Sequence, residues 1–234
     1  MNQEHISRQF DADLEGLRTR VLAMGGLVEQ QLLRAMDGLE SGDMALIDQV
    51  IANDRQVNRH EVELDEACNN VIARRQPAAV DLRMIMTVVK TITDLERIGD
   101  EAKKIAKMAR DIHGGDSRVV PRVNLRPPAD IAVAMLRKAL DAFARLDVNA
   151  SAEVVRQDRE VDAGFKAAMR QLITFMMEDP RTISSSLDLL FVARSIERIG
   201  DHAKNISEYV VYLVKGRDVR HIGLEAMEKE VASR

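Results

Sequence analysis

The feature that most constrains the fold of this chain is a ten-residue segment that occurs twice. Residues 96–105 read ERIGDEAKKI and residues 197–206 read ERIGDHAKNI, so eight of ten positions are identical at an offset of 101 residues. A second pair of segments, 54–58 and 158–162, matches at an offset of 104 residues. This internal similarity indicates one structural unit present in two copies, which is too few for a solenoid.

Proline positions divide the chain into segments that can each form a long helix, because proline is excluded from helix interiors. The five prolines lie at 77, 121, 127, 128 and 180. Turn signals at residues 41–43 and 146–149 divide two of the proline-free stretches further, with Ser41 or Asp43 as an N-cap. We therefore predict an all-α fold. Its six long helices are expected at about residues 5–40, 43–75, 79–113, 127–146, 148–178 and 182–215.

Composition agrees with a helical fold and excludes several classes of protein. Aromatic residues make up 3% and tryptophan is absent, which argues against β-barrels and β-sandwiches. The net charge of −4 does not suit a nucleic-acid-binding protein.

The single cysteine, Cys68, cannot form an internal disulfide or a Cys-based zinc site, and we expect it in the core. Apolar runs are shorter than the roughly 18 residues of a membrane span and the N-terminus lacks a signal-peptide pattern, so we expect a cytoplasmic protein that does not itself span the membrane.

The repeat and the glycine- and proline-rich segment 113–128 place the domain boundary. We interpret the chain as two tandem, pseudo-symmetric three-helix bundles at residues 1–116 and 129–216, with a linker at 117–128 and a loosely held polar tail at 217–234. The third helix of each unit has an apolar seam with a 3.5-residue period, which indicates left-handed packing. Gly99 and Gly200 lie in these seams, where we expect the backbone of a neighbouring helix to approach closely.

Eight oxygen-bearing side chains occupy matching positions in the two units, at or beside the apolar seams. In each unit, one pair lies on the second helix, with its first member interrupting the seam, and another pair lies on the third helix at i, i+4 spacing, on one face. Like charges this close repel each other, and a proton or a cation must relieve the repulsion. Oxygen ligands suit Mg²⁺, Ca²⁺ or Mn²⁺, and carboxylate-rich sites also bind iron. The candidate metal ligands are Asp54, Asn58, Glu96, Asp100, Asp158, Asp162, Glu197 and Asp201.

Ion pairing explains these acids equally well from spacing alone. No histidine follows a glutamate by three residues, as di-iron carboxylate bundles require, and we expect His202 at the surface. A P-loop, a Gly-x-Ser-x-Gly motif and a Gly-x-Gly-x-x-Gly motif are also absent from the sequence. We find no nucleophile paired with a base and do not expect an enzyme. The candidate counter-ions are Arg55, Arg97, Lys103, Arg159, Arg198 and Lys204.

Two copies of Glu-Arg-Ile-Gly-Asp, each in the third helix of a three-helix unit, resemble the PhoU family of bacterial phosphate-signalling proteins. The family's motif of an acid, three residues and an aspartate is matched at 96/100, 197/201 and 158/162, whereas Asn58 departs from it after Asp54. A neutral amide there is expected to weaken or change the first site relative to the second. The resemblance extends over nearly the whole chain, with further support at residues 72–77, 140–145, 176–183, 193–201 and 212–216.

The resemblance implies a negative regulator of the phosphate-starvation response. Such a protein couples the ATPase subunit of the phosphate ABC transporter to a membrane sensor histidine kinase, modulates phosphate uptake, and is recruited by its partners to the inner face of the membrane. The resemblance also implies a homodimer and surface metal clusters, for which Mg, Mn, Fe, Ca and Zn all stay open. Two alternatives also stay open: a metal store or metal-dependent hydrolase that uses the same acids, and a structural bundle whose acids are salt-bridged.

Overall fold

The computed structural model describes residues 8–115, 119–220 and 222–232, which form seven α-helices and no β-strand. The helices are α1 (Arg8–Ser41), α2 (Met44–Arg75), α3 (Ala79–His113), α4 (Arg126–Arg145), α5 (Val148–Glu178), α6 (Ile183–Lys215) and α7 (Leu224–Ala232). A 3-10 turn, Pro180–Thr182, precedes α6. The all-α prediction and its six long helices are confirmed, although the predicted start of the first helix at residue 5 lies outside the described residues. Within the described ranges, every helix is too short or too polar to cross a membrane.

The breaks predicted within the two proline-free stretches each begin a new helix with an aspartate N-cap. Asp43 Oδ1 accepts hydrogen bonds from the amides two and three residues later, at 3.0 and 3.1 Å. Asp147 Oδ1 does the same at 2.9 and 3.1 Å. Such caps satisfy amides that have no partner within the helix. Of the two caps proposed for α2, the structure selects Asp43 and not Ser41.

The two three-helix units pack against each other mainly through α3 and α6. These helices run antiparallel, because Asp94 contacts His202 whereas Glu101, later on α3, contacts Ser195, earlier on α6. Buried apolar residues of both units form one continuous hydrophobic cluster. The two repeats therefore share a core.

Two glycines allow the second helix of each unit to approach the third. A Cβ added to Gly99 would lie 3.1 Å from Val57 Cγ1, and one added to Gly200 would lie 3.4 Å from Val161 Cγ1. The expectation of a closely approaching helix backbone is thus corrected, because the atoms nearest to both glycines belong to side chains. Because each valine lies about one turn after the acid that interrupts the seam, this contact also brings that acid onto the third helix.

The chain after Gly216 corrects the prediction of a loosely held polar tail. Helix α7 packs on α5, and Val219 and Met227 are each 1% exposed in a small cluster with Val155 and Val211. A helix of nine residues is not stable alone, so tertiary contacts hold it in place. Parts of the predicted termini, linker and tail lie outside the described residues, namely 1–7, 116–118, 221, 233 and 234.

The buried amide of Gln31 on α1 leads to a prediction about the stability of the fold. Its side chain is 3% exposed, and neither its Oε1 nor its Nε2 has a hydrogen-bond partner among the described residues. Because burying an unpaired amide costs about 1–3 kcal/mol, Gln31→Met should raise the free energy of unfolding by about 1–2 kcal/mol in urea denaturation. Gln56→Met, at an exposed position of α2, is the control. A loss of stability at Gln31 alone would show that the amide is hydrogen-bonded.

Candidate functional site

The predicted acids come together in two places, one in each unit, where the second helix packs on the third. In both places, the carboxylates of the two helices lie close enough for their charges to interact. The first cluster comprises Asp54, Glu61, Glu96 and Asp100, with Asn58 beside it on α2. The second cluster comprises Asp158, Asp162, Glu197 and Asp201.

Glu61 is the member of the first cluster that was not selected from the sequence. Burial, followed by the charge of Glu96, raises the pKa of Glu61 above its ordinary value. It lies three residues after Asn58 and therefore on a similar face of α2, at a position where Phe165 stands in the second unit. Its place in the apolar seam of α2, which Asp54 also interrupts, was the signal that could have identified it. The first cluster thus has four carboxylates, as the second does, although the side chain of Asn58 is neutral and exposed.

Each cluster contains a lysine that binds its most buried aspartate. Lys103 Nζ lies 2.6 Å from Asp54 Oδ2, and Lys204 Nζ lies 2.8 Å from Asp158 Oδ2. The two aspartates are only 3% and 7% exposed, and a carboxylate so buried would cost several kcal/mol without a counter-ion. The hydrogen bond to Asp54 in turn raises the pKa of Lys103. These two aspartates thus form the ion pairs that the sequence left open as an alternative to metal binding.

Arginines at the outer edge of the clusters partly neutralise the glutamates. Arg97 Nε lies 3.5 Å from Glu96 Oε2, and Arg194 binds Glu197. The two arginine side chains are 55% and 52% exposed, so these pairs contribute little to stability. Arg194 is not one of the counter-ions that we expected from the sequence. Arg198 is one of them, but it binds a carboxylate on α3 that belongs to neither cluster.

Full ionisation of the clusters is disfavoured in the folded chain. Burial raises the pKa of Glu96 and Glu197, and the neighbouring charges of Asp100 and Asp201 raise them further. The pKa of Asp201 is raised by burial and then by the charge of Asp158. The glutamates Glu96 and Glu197 therefore bind protons more strongly than isolated carboxylates would.

Oxygen atoms without a protein partner are present in both clusters. Asp54 Oδ1 and Glu197 Oε2 are buried and accept no hydrogen bond from the described residues. Carboxylate and amide oxygens are the ligands that hard cations prefer, so the donor chemistry fits a metal ion. In the described ranges, however, no three His, Cys, Asp or Glu side chains converge as ligands of one ion. In the conformations observed, the ammonium groups of Lys103 and Lys204 neutralise the buried aspartates.

His202 corrects the expectation that this residue lies at the surface. Its Nδ1 is 2.6 Å from Asp94 Oδ1 across the α3–α6 contact, and 16% of its side chain is exposed. Asn205 donates a second hydrogen bond to Asp94, at 3.1 Å. Because the partner belongs to the other unit, spacing along α6 could not reveal it.

Comparisons with known proteins agree with this arrangement of two related units. A family model described as "PhoU domain" matches the chain twice, at residues 21–109 and 127–210. The phosphate-specific transport system accessory protein PhoU homolog of Pseudomonas aeruginosa is 50% identical over 230 residues, covering 97% of this chain and 94% of that protein. The accessory protein PhoU of Escherichia coli (strain K12) is 47% identical over 231 residues, covering 99% and 95%. The crystal structure of PhoU from Pseudomonas aeruginosa matches with a TM-score of 0.85 at 47% identity, covering 89% of this chain and 100% of that chain.

Glu208 lies beside the second cluster on α6, and its burial leads to a prediction of how the stability of the fold depends on pH. It is 5% exposed, and burial raises its pKa to about 7 although Lys204 opposes the shift. In the unfolded chain its pKa would be near 4.5. Between these two values the folded chain binds more protons than the unfolded chain, so this glutamate makes stability fall as the pH rises. Glu208→Gln should therefore raise the free energy of unfolding by about 2 kcal/mol near pH 8 and by little near pH 4.

Urea denaturation at both pH values measures this difference. Glu160→Gln, at an exposed position of α5, is the matched control and should change stability little at either pH. A gain at Glu208 of the same size at both pH values would contradict the assignment of the effect to ionisation of a buried carboxyl group.

Proposed function

The chain belongs to the PhoU family, and on this premise we propose that it is a cytoplasmic negative regulator of the phosphate-starvation response. It couples the ATPase subunit of the phosphate ABC transporter to the sensor histidine kinase and modulates phosphate uptake. The observation that carries the proposal is the extent of the similarity. Identity of 47–50% to accessory proteins of phosphate-specific transport systems runs over 97–99% of the chain, through both units.

The geometry supports a role in binding partners. The most buried acid of each cluster is paired with a lysine, Asp54 with Lys103 and Asp158 with Lys204. A helical body with two related but unequal acidic faces can contact two different proteins. We expect this body to be recruited to the inner face of the membrane through its partners and to form a homodimer.

We further propose that divalent or ferric cations bind at the two clusters in competition with the lysines. The four carboxylates of each cluster, with the amide of Asn58 in the first, would hold the ion. A bound cation would supply positive charge to an acidic protein. It would also relieve the repulsion that contributes to the raised pKa values of Glu96 and Glu197. Free lone pairs on Asp54 Oδ1 and Glu197 Oε2 support this proposal.

Deletion of the gene in its own host tests the regulatory function. A reporter driven by a phosphate-starvation promoter should become active in high phosphate, and reintroduction of the gene should silence it again. The purified chain should also bind the transporter ATPase or the cytoplasmic part of the sensor kinase. Unchanged reporter expression, together with no binding to either protein, would contradict the proposal.

Elemental analysis of protein purified without chelators tests the metal sites. Metal should be present, and Glu197→Ala and Asp201→Ala should each lower its content. In calorimetric titration, Asn58→Asp should tighten binding at the first cluster at neutral pH, because a carboxylate replaces an amide ligand. Equal or weaker affinity would contradict Asn58 as a ligand.

The same measurements separate the alternatives. Metal-free protein that is as stable as the untreated protein would favour a structural bundle with salt-bridged acids. Excess metal, or a hydrolytic activity that does not depend on the phosphate signal and is lost with Glu96→Ala, would favour a metal store or a hydrolase.

A further inference from the structure

The α3–α6 contact contains an open groove that lies outside both acidic clusters. It runs between the C-terminal half of α3 and the N-terminal half of α6, with a volume of about 450 Å³. Met108 on α3 and Phe191 on α6 supply its apolar lining, and Phe191 is 60% exposed. Exposed aromatic side chains are enriched at protein-binding surfaces.

The groove contains one fully buried acid, whose hydrogen bonds are made within the protein. Glu101 is 2% exposed. Its Oε1 is 2.8 Å from Lys104 Nζ and 2.7 Å from Arg198, and its Oε2 accepts a hydrogen bond of 2.8 Å from Ser195. Glu101 therefore positions the two cations and does not itself need a ligand from outside.

Positive charge dominates the accessible edge of this groove. Lys104, Arg194 and Arg198 line it with side chains that are 50%, 52% and 40% exposed. Besides the buried Glu101, the remaining acid in the lining is Asp188, which has an interaction within the protein. The lining thus has three cations and two acids, on a chain with a net charge of −4, and Arg194 is also paired with Glu197 of the second cluster. This small excess of exposed positive charge favours a negatively charged partner.

Apolar side chains extend the surface beyond the groove. Ile183 and Leu187 precede Phe191 by two turns and one turn of α6, and they are 43% and 42% exposed. The i, i+4, i+8 spacing places the three side chains on one face, along about 12 Å of helix. A row of this length fits a segment of polypeptide better than a small molecule.

The other half of the α3–α6 contact shows that an open groove is not a necessary result of the fold. At the offset of 101 residues, Tyr209 corresponds to Met108, and Lys90 corresponds to Phe191. Tyr209 is 8% exposed, and Lys90 Nζ lies 5.5 Å from the centroid of its ring. In the described structure, an aromatic side chain fills the counterpart, whereas the groove at Met108 stays open.

We propose that this groove binds an acidic segment of a partner protein, with an apolar side chain of that segment packed between Met108 and Phe191. Carboxylates of the segment pair with Lys104, Arg194 and Arg198. A membrane surface would meet the same cations, but the headgroups of a bilayer would not place an apolar group in a concave site beside Glu101. The chemistry of the site thus favours a peptide.

Panning a phage-displayed library of random dodecapeptides on the intact chain tests the proposal. The selected peptides should carry Asp or Glu around an aliphatic or aromatic residue. They should bind Phe191→Asp about ten-fold more weakly or worse, and binding to the unaltered chain should weaken as salt rises. Met177→Asp is the matched control, because Met177 is an apolar side chain of α5 that is 80% exposed and lies outside the groove lining. Its binding should equal that of the unaltered chain.

Met108→Tyr tests occupancy of the groove without adding charge. It introduces the aromatic side chain found at the equivalent position 209 and should also weaken peptide binding about ten-fold. Circular dichroism and thermal unfolding establish that each variant is folded. The proposal would be overturned if no selected peptide depends on Phe191 for binding, or if the selected peptides are basic. It would also be overturned if phosphatidylglycerol vesicles, in place of peptides, bind in a way that depends on Phe191.

The inference rests on the proposed function only for the identity of natural partners. If the transporter ATPase or the sensor kinase binds the unaltered chain and Phe191→Asp equally, the groove is not their docking site, while the regulatory function stands. If neither protein binds the unaltered chain, the regulatory function fails, and the peptide selection still decides whether the groove recognises acidic segments.

Discussion

The antiparallel contact between α3 and α6 is the constraint on which the rest of the structure depends. It joins the apolar seams of two repeats into one core. It also buries one acid from α3 in each half, Asp94 against His202 and Glu101 against Ser195. Both acids lie on the first repeat and have a partner on the second. The contact between the repeats therefore combines buried polar contacts with the shared apolar core.

The acidic clusters lie where this central pair meets the outer helices α2 and α5. Gly99 and Gly200 let valines of those helices approach, and the acids that interrupt the seams come with them. Protons, lysine ammonium groups and metal ions are alternative means of relieving the same repulsion. Arg194 binds Glu197 of the second cluster and also lines the open groove. The second cluster and the edge of the open groove thus share Arg194.

Local patterns predicted much of this arrangement, and contacts between the repeats account for most of what they missed. Prolines and aspartate caps placed the six long helices, and i, i+4 spacing placed the acids on common faces. Spacing along the sequence could not show which of the candidate counter-ions bind the buried aspartates. Lys103 and Lys204 do so because of the way the helices pack. The partner of His202 was hidden because it lies on the other repeat. Helix α7 was missed because its nine residues carry only one short apolar stripe, Leu224, Met227 and Val231 at i, i+3 and i+7, and tertiary burial of Met227 holds the helix in place.

Hydrogen–deuterium exchange of the intact chain, with and without the purified transporter ATPase, tests the central claim most directly. That claim is that a regulatory helical body of related but unequal repeats recognises its partner through the open half of the α3–α6 contact. Exchange in residues 101–108 and 183–198 should slow when the ATPase is added, with little change around the filled counterpart at Lys90 and Tyr209. No change anywhere in the chain, or protection confined to the filled half, would contradict it.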